Sequence, residues 1–514
     1  MAERDLWELA NAKKGMLRFS TLFTAQNVRD HISDEAGLEK AIAWCKQTAV
    51  TRVYIESYRS KLTVERSVLE RAKRAFEQAG FDVSGCVTTT EVGKQSTGWK
   101  IIDCYTDKPT QKHLLEIFAY TASVFDEIMI DDFYFTDCEC EECEAARGAQ
   151  SWAEYRCDLL LKLSKDCILG PARAANPNVK IILKYPQWYD RFHLRGYAVE
   201  RETREYDKIW IGTETRDPDS ERWGKRAQYM AYYIMRWLGE IGGAKTGGGW
   251  FDPFGTSPPT YVEQARQTVL GDAKEALLFC YGALQEKTGP ANVVALRKEI
   301  PGLFELAALV RDKPIRGVPA PKPPDSDPGA ERHVFDYVGM LGIPLVPTAQ
   351  VPEEGPVFLS VHALKDRGLG TKLERMIAAG TPLLVTDGLR EALGDRVNLD
   401  AQNVQVLRVA GEPRSVLAMD REPLGKLREQ LLAPLGIGFD APSGVALYLM
   451  GEALVVIENF NDARVDVEFR RGDLKAAERL LQLPSEAEAS PAVEAGVLRL
   501  GLGPRSLVAV TVRG

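Results

Sequence analysis

No apolar stretch in this chain reaches the roughly 20 residues that a membrane-spanning helix needs. The opening MAERDLWELANAKKGM has no apolar core of signal-peptide length either. If that N-terminus is native, a cytoplasmic protein is expected. There is no basic cluster, and 65 Lys and Arg against 73 Asp and Glu leave a net charge of −8, which argues against a nucleic-acid partner. Histidine is scarce. Only five occur in 514 residues, and His193 alone follows closely on a strand-like run, so a histidine-ligated catalytic metal lacks its ligands. The nine cysteines are an odd number with three bunched together. That pattern suits thiols plus a metal cluster better than a disulfide framework.

What is present is a soluble-protein composition, 45% hydrophobic and 27% charged, in a chain too long for one ordinary core. From residue 16 to about 283, β-branched apolar runs alternate with amphipathic stretches. The runs are MLRFSTLF (16–23), VTRVYIESY (50–58), FDVSGCVTT (81–89), FDEIMIDDFYF (125–135), VKIILKYPQW (179–188), YDKIWIGTET (206–215), GGGWFDPFG (247–255) and ALLFCYGAL (276–284). Strand alternating with helix implies a parallel sheet, and eight such units match a (β/α)8 TIM barrel. A doubly wound open sheet is the alternative, and the seventh, glycine-rich run is the weakest strand. The expected organisation is a barrel over 1–312, a proline-rich linker over 313–330, a small flavodoxin- or glutaminase-like α/β domain over 331–415, and a β-sandwich over 416–514.

Barrel enzymes carry their chemistry at the C-terminal ends of the strands. Those ends supply Glu56, Asp131, Asp132, Lys184, Trp188, Glu214, Trp250 and Asp252. Paired carboxylates beside aromatic faces are what glycoside hydrolysis requires: one carboxylic acid protonates the leaving oxygen, and a second carboxylate attacks or activates water. Each carboxylate taken singly could equally be a salt bridge or a helix cap. Because side chains alternate along a strand, Asp131 and Asp132 are not both expected to face the mouth. Asp132 is favoured, with Ile128 and Ile130 in the barrel interior.

Cys138, Cys140 and Cys143 form C-x-C-x2-C on the loop after the fourth run. Three close thiolates suit zinc with a fourth ligand, and Cys104, on the neighbouring loop, is the candidate. Unliganded thiols and an iron–sulfur cluster are the alternatives. With four thiolates the zinc would be structural, having no open position for water.

These cysteines, together with "DCYTDKPTQKHLLEIFAYTASVFDEI", "EQARQTVLGDAKEALLFCYGAL" and "FDYVGMLGIPLVP", resemble glycoside hydrolase family 42, the β-galactosidases with a trimerisation domain. The resemblance implies a structural zinc on Cys104, Cys138, Cys140 and Cys143, and a homotrimer. It does not carry over the catalytic pair. That family has Asn-Glu after the fourth strand, where this chain has Asp131-Asp132, and a Glu on the seventh, where it offers only Asp252. An Asp on strand four with a carboxylate on strand six is instead similar to retaining α-galactosidase-like barrels.

The expectation is therefore a retaining glycoside hydrolase acting on a carbohydrate. Asp132 or Asp131 is the expected nucleophile and Glu214 the acid/base, with Glu56, Lys184 and Asp252 holding the sugar and Trp188 and Trp250 stacking on it. A competing assignment makes Asp132 the acid/base and Asp252 the nucleophile. A sugar-binding barrel without turnover, and a lyase or isomerase using Lys184, are the other readings.

Overall fold

The computed structural model describes residues 5–409, 411–485 and 491–514. Residues 1–4 of the stretch weighed as a signal peptide lie outside them. Eight parallel strands alternate with helices: β1 (Arg18–Phe23), β2 (Val50–Arg59), β3 (Asp82–Val87), β4 (Glu127–Ile130), β5 (Lys180–Tyr185), β6 (Lys208–Gly212), β7 (Thr246–Phe251) and β8 (Glu275–Leu278). Each pairs with the next, and β8 returns to β1 from Arg18↔Glu275 to Thr21↔Leu278. The sheet closes on itself. This is the expected TIM barrel, and no edge is left for an open doubly wound sheet.

The helices that cover it follow simple rules. Arg66–Gln78 buries Leu69, Ala72 and Phe76, spaced at helical period on one face. Leu69 and Phe76, fully buried, each contribute about 1.5–3 kcal/mol. Lys108–Ala122 starts where the Asp107 carboxylate accepts from the Thr110 N–H, with a proline in its first turn.

Inside the barrel, Leu22, Tyr54, Cys86, Met129, Ile182, Trp210, Trp250 and Leu277 form one buried cluster, a side chain from every strand. This layer corrects the expected register of β4: Met129 faces inward, not Ile128 and Ile130. It also explains the glycine-rich β7. A Cβ at Gly247 would sit 2.6 Å from the Trp210 indole nitrogen, and one at Gly248 would sit 2.9 Å from the same ring and 2.5 Å from the Glu275 carbonyl oxygen. At these two positions the strand is bare because its neighbour's tryptophan fills the space, and at Gly249 because Thr268 does.

By its contacts the chain divides into two units, and the barrel strands all belong to the first. The second, Asp217–Glu240, Val269–Asp272 and Gly302–Gly514, contains a parallel sheet of Val357–Leu359, Leu383–Thr386 and Val404–Leu407. Leu359, Leu373, Val385 and Leu389 lie in its core. It also contains two antiparallel sheets toward the C-terminus, of five and four strands, consistent with the expected β-sandwich. The proline-rich stretch read as a linker carries two strands: Ile315–Arg316 joins the five-stranded sheet, and Val318–Pro321 pairs with Leu345–Thr348. Among the described residues no helix is long and apolar enough to cross a membrane.

Candidate active site

Side chains two residues beyond the interior layer point the same way and emerge at the mouth. Two beyond Tyr54 is Glu56, two beyond Met129 is Asp131, two beyond Ile182 is Lys184, and two beyond Trp250 is Asp252. Asp132 joins them because β4 has ended. The Asp131 N–H still bonds Val87 O, but Asp131 Oδ1 then accepts from the Asp132 N–H at 2.8 Å and the Asp131 carbonyl from the Phe133 N–H. This local turn abolishes the alternation that a strand would impose. Both aspartates face the site, contrary to the expectation that only one could.

Lys184 is the hub. Its Nζ donates to Asp132 Oδ2 at 2.9 Å and to Glu214 Oε1 at 2.9 Å, lies 3.8 Å from Asp131 Oδ1, and stands 4.0 Å above the Trp250 ring. Burial alone would lower its pKa, but Asp132, Glu214 and Asp131 outweigh that and hold it above the ordinary lysine range. An ammonium held charged is not the free amine that a Schiff base needs, which counts against the lyase reading.

The three carboxylates around it differ. Asp131 is buried, a state that pushes its pKa up, yet Arg59 and then Lys184 bring it below the usual aspartate value. Arg59 Nη2 lies 2.6 Å from Asp131 Oδ2, and Thr88 donates to the same oxygen. Asp132 goes the other way: burial, with Asp131 and Glu214 adding like charge against Lys184, raises it to about 7. Glu214 is 3% exposed, and its Oε2 is buried without a hydrogen-bond partner. Gly212 makes room for that oxygen, since a Cβ there would lie 2.5 Å from it.

The other expected residues lie around this centre in less open roles. Glu56 is fully buried and saturated by Arg59 Nε, the Ala25 N–H and the Thr88 hydroxyl, so it fixes Arg59. Asp252 is clasped by Arg216 at 3.0 and 2.6 Å. Trp250 is a floor, 2% exposed, carrying Lys184 and a stacked Phe279 at 4.8 Å; it offers no open face to a sugar. Trp188 is half-buried beside Phe135, 5.1 Å between rings. Arg59, Arg216 and Tyr197, whose hydroxyl donates to the Asp132 carbonyl, were not anticipated. The available signal was cationic residues next to the strand-end carboxylates, in "ESYR" and "TETR".

On the loops after β3 and β4, the sulfur atoms of Cys104, Cys138, Cys140 and Cys143 all lie within 4.8 Å of one another. The sulfurs stand 3.7 Å apart for Cys104–Cys140, 3.5 Å for Cys104–Cys143 and 3.6 Å for Cys140–Cys143. Tetrahedral thiolates at about 2.3 Å from zinc would stand about 3.8 Å apart, so the donor set fits such an ion. Lys94 Nζ, 3.6 Å from the Cys140 sulfur, offers countercharge.

Residues 5–313 match the family described as "Probable glycosyl hydrolase, catalytic domain", more than half of the chain. The chain belongs to this family. An uncharacterized protein of Saccharolobus solfataricus is 25% identical over 348 residues, 61% of this chain and 57% of that protein, so the chain spans little more than half of that relative's length. Among solved structures, an alpha-L-fucosidase isoenzyme 2 from Paenibacillus thiaminolyticus aligns with a TM-score of 0.65, covering 97% of this chain and 99% of that one at 11% identity. Gan42B, a GH42 beta-galactosidase, aligns at 0.59, covering 96% and 98%, also at 11% identity. Identity this low makes both a likeness of fold.

Proposed function

We propose that this chain is a retaining glycoside hydrolase in which Asp132 is the acid/base and Glu214 the nucleophile. The observation that carries it is the shared lysine. Asp132 Oδ2 and Glu214 Oε1 each lie 2.9 Å from Lys184 Nζ, so these oxygens are at most about 5.8 Å apart. Retaining pairs stand about 5–5.5 Å apart and inverting pairs about 6.5–9.5 Å. The carboxyl raised to about 7 is the one able to deliver a proton at neutral pH, and the carboxylate with a bare oxygen is the one able to attack. These roles are the reverse of those expected from the sequence.

In this reading Asp132 protonates the glycosidic oxygen while Glu214 Oε2 bonds to the anomeric carbon and the aglycone leaves. Asp132, now ionised, takes a proton from the water that releases the sugar from Glu214. Lys184 matches the negative charge that moves between the two carboxyls, and Arg59 holds Asp131 still. The four cysteines would hold a structural zinc that pins the β3 and β4 loops beside the mouth. A GH42-like relationship draws support from those cysteines and from the likeness of fold; a trimer rests on the resemblance of the middle segment alone, and light scattering tests it.

A panel of aryl α- and β-glycosides, α-L-fucosides and β-galactosides included, with product anomers followed by NMR, tests the proposal. The first-formed sugar is expected to keep the substrate's anomeric configuration. Azide is expected to rescue Asp132→Asn with a retained glycosyl azide and Glu214→Gln with an inverted one. Inverted sugar from the unaltered enzyme would overturn the retaining reading, and saccharide binding without any cleavage would make the barrel a sugar binder.

A further inference from the structure

Beyond the carboxylate centre, the segments after β3, β4 and β5 line an open cavity of about 440 Å³, within the usual range for small-molecule sites. Three guanidinium groups line it, those of Arg156, Arg191 and Arg195, with two carboxylates, Asp137 and Glu139, and the Trp152 indole. Both carboxylates already have protein partners, Asp137 covered and Glu139 half-exposed. Asp137 accepts from Ser96 and the Trp99 N–H and pairs with Arg195 at 2.6 Å, while Glu139 pairs with Arg156 at 2.8 Å. Arg156 is 6% exposed and lies 4.9 Å from the Trp152 ring; its Nη1 bonds the Leu194 carbonyl, and its Nε is buried with no partner. Each guanidinium has five donors, and for Arg156 and Arg195 these outnumber the oxygens of Glu139, Leu194 and Asp137 that meet them.

The cavity is continuous in sequence with the active centre. Four residues separate Asp132 from Asp137, and the Thr136 N–H bonds the Arg195 carbonyl. Aromatic rings mark the way: Trp99, 47% exposed, lies 5.7 Å from Phe133 and 6.0 Å from Phe135, which in turn meets Trp188. A row of rings leading from a carboxylate pair to clustered arginines suits a sugar chain bearing a negative group, because planar guanidinium forks match carboxylate and sulfate oxygens.

We propose that this cavity is a subsite for an anionic substituent, a uronate carboxylate or a sulfate ester, so that the substrate is an acidic oligosaccharide. The inference rests on the glycosidase reading for its catalytic consequence but not for binding. Disaccharides carrying glucuronic acid, galacturonic acid or a sulfate ester, with their carboxyl-reduced or desulfated counterparts, test it by kcat/KM and by calorimetry. The unaltered protein is expected to prefer the acidic member of a pair by about tenfold or more, through KM. Arg191→Gln and Arg195→Gln are each expected to bring that ratio toward one, and Glu139→Gln, which frees Arg156 from its partner, to raise it. The carboxylate and sulfate arms identify which anion is recognised. No preference in the unaltered protein, or a preference that survives both arginine variants, would overturn the proposal. Cleavage of neutral aryl glycosides without acidic preference would sink the subsite and leave the glycosidase standing. Acidic saccharides that bind without cleavage, and lose binding in the arginine variants, would do the converse.

Discussion

Replacing Asp132 by Asn should make the protein more stable above neutral pH while crippling it as a catalyst. Asp132 is raised from the ordinary 3.8 to about 7, first by burial and then by Asp131 and Glu214. A carboxyl raised on folding helps most below its unfolded value, and the benefit is lost as pH climbs through the folded one. Between about pH 4 and 7 each pH unit therefore takes about 1.4 kcal/mol from folding, at most about 4 kcal/mol in all. Asn is isosteric and never ionises, so the variant escapes this loss. Asp131 does not mask the effect: its pKa is lowered, and the stability it confers is lost only as pH falls below its ordinary range.

Thermal melts of both proteins from pH 4 to 9 read this directly. The melting difference should be small at pH 4 and grow in the variant's favour up to about pH 7, then level off. Kinetics provide the second arm. Loss of a general acid costs about 10²–10⁴-fold with poor leaving groups, less with dinitrophenyl aglycones, and the alkaline limb of kcat/KM near pH 7 should vanish. A melting difference that is flat with pH, or that turns against Asn as pH rises, would refute the reasoning that ionised Asp132 strains this site.

Four further outcomes are expected. Lys184→Met leaves Asp131, Asp132 and Glu214 without their shared cation and should cost about 3–5 kcal/mol in denaturant melts at pH 7, with less loss at pH 5, where Asp132 is protonated. Arg59→Met strips the cation from Glu56 and Asp131; its destabilisation should likewise be about 3–5 kcal/mol at pH 7 and shrink on acidification. Cys143→Ser should lower zinc per chain, measured by mass spectrometry on protein purified without chelator, together with the melting temperature. Gly248→Ala drives a methyl against the Trp210 ring and the Glu275 carbonyl and should cost about 1–3 kcal/mol.

The barrel was legible because its signal is repetitive: eight apolar runs alternating with amphipathic stretches imply a parallel sheet of barrel size whichever residues fill it. Finer detail was legible only where one physical rule acted alone. Alternation along β4 fails at Asp131 because the strand stops at Ile130 and an aspartate side chain caps its own successor's N–H. A rule of period two cannot see that stop. The interior layer would have located it: Tyr54, Met129, Ile182 and Trp250 precede Glu56, Asp131, Lys184 and Asp252 by two residues each. Gly247 and Gly248 of β7 looked like a weak strand because their cause, the Trp210 side chain, sits 37 and 38 positions earlier. The same distance in sequence hid the division of labour among the carboxylates. Glu56 and Asp252 have the same chemistry as Asp132 and Glu214, and the guanidiniums of Arg59 and Arg216 set them apart. A carboxylate clasped by a guanidinium is committed to holding the site, whereas one shared with a lysine keeps an oxygen or a proton to give. That distinction depends on which cation the fold brings near.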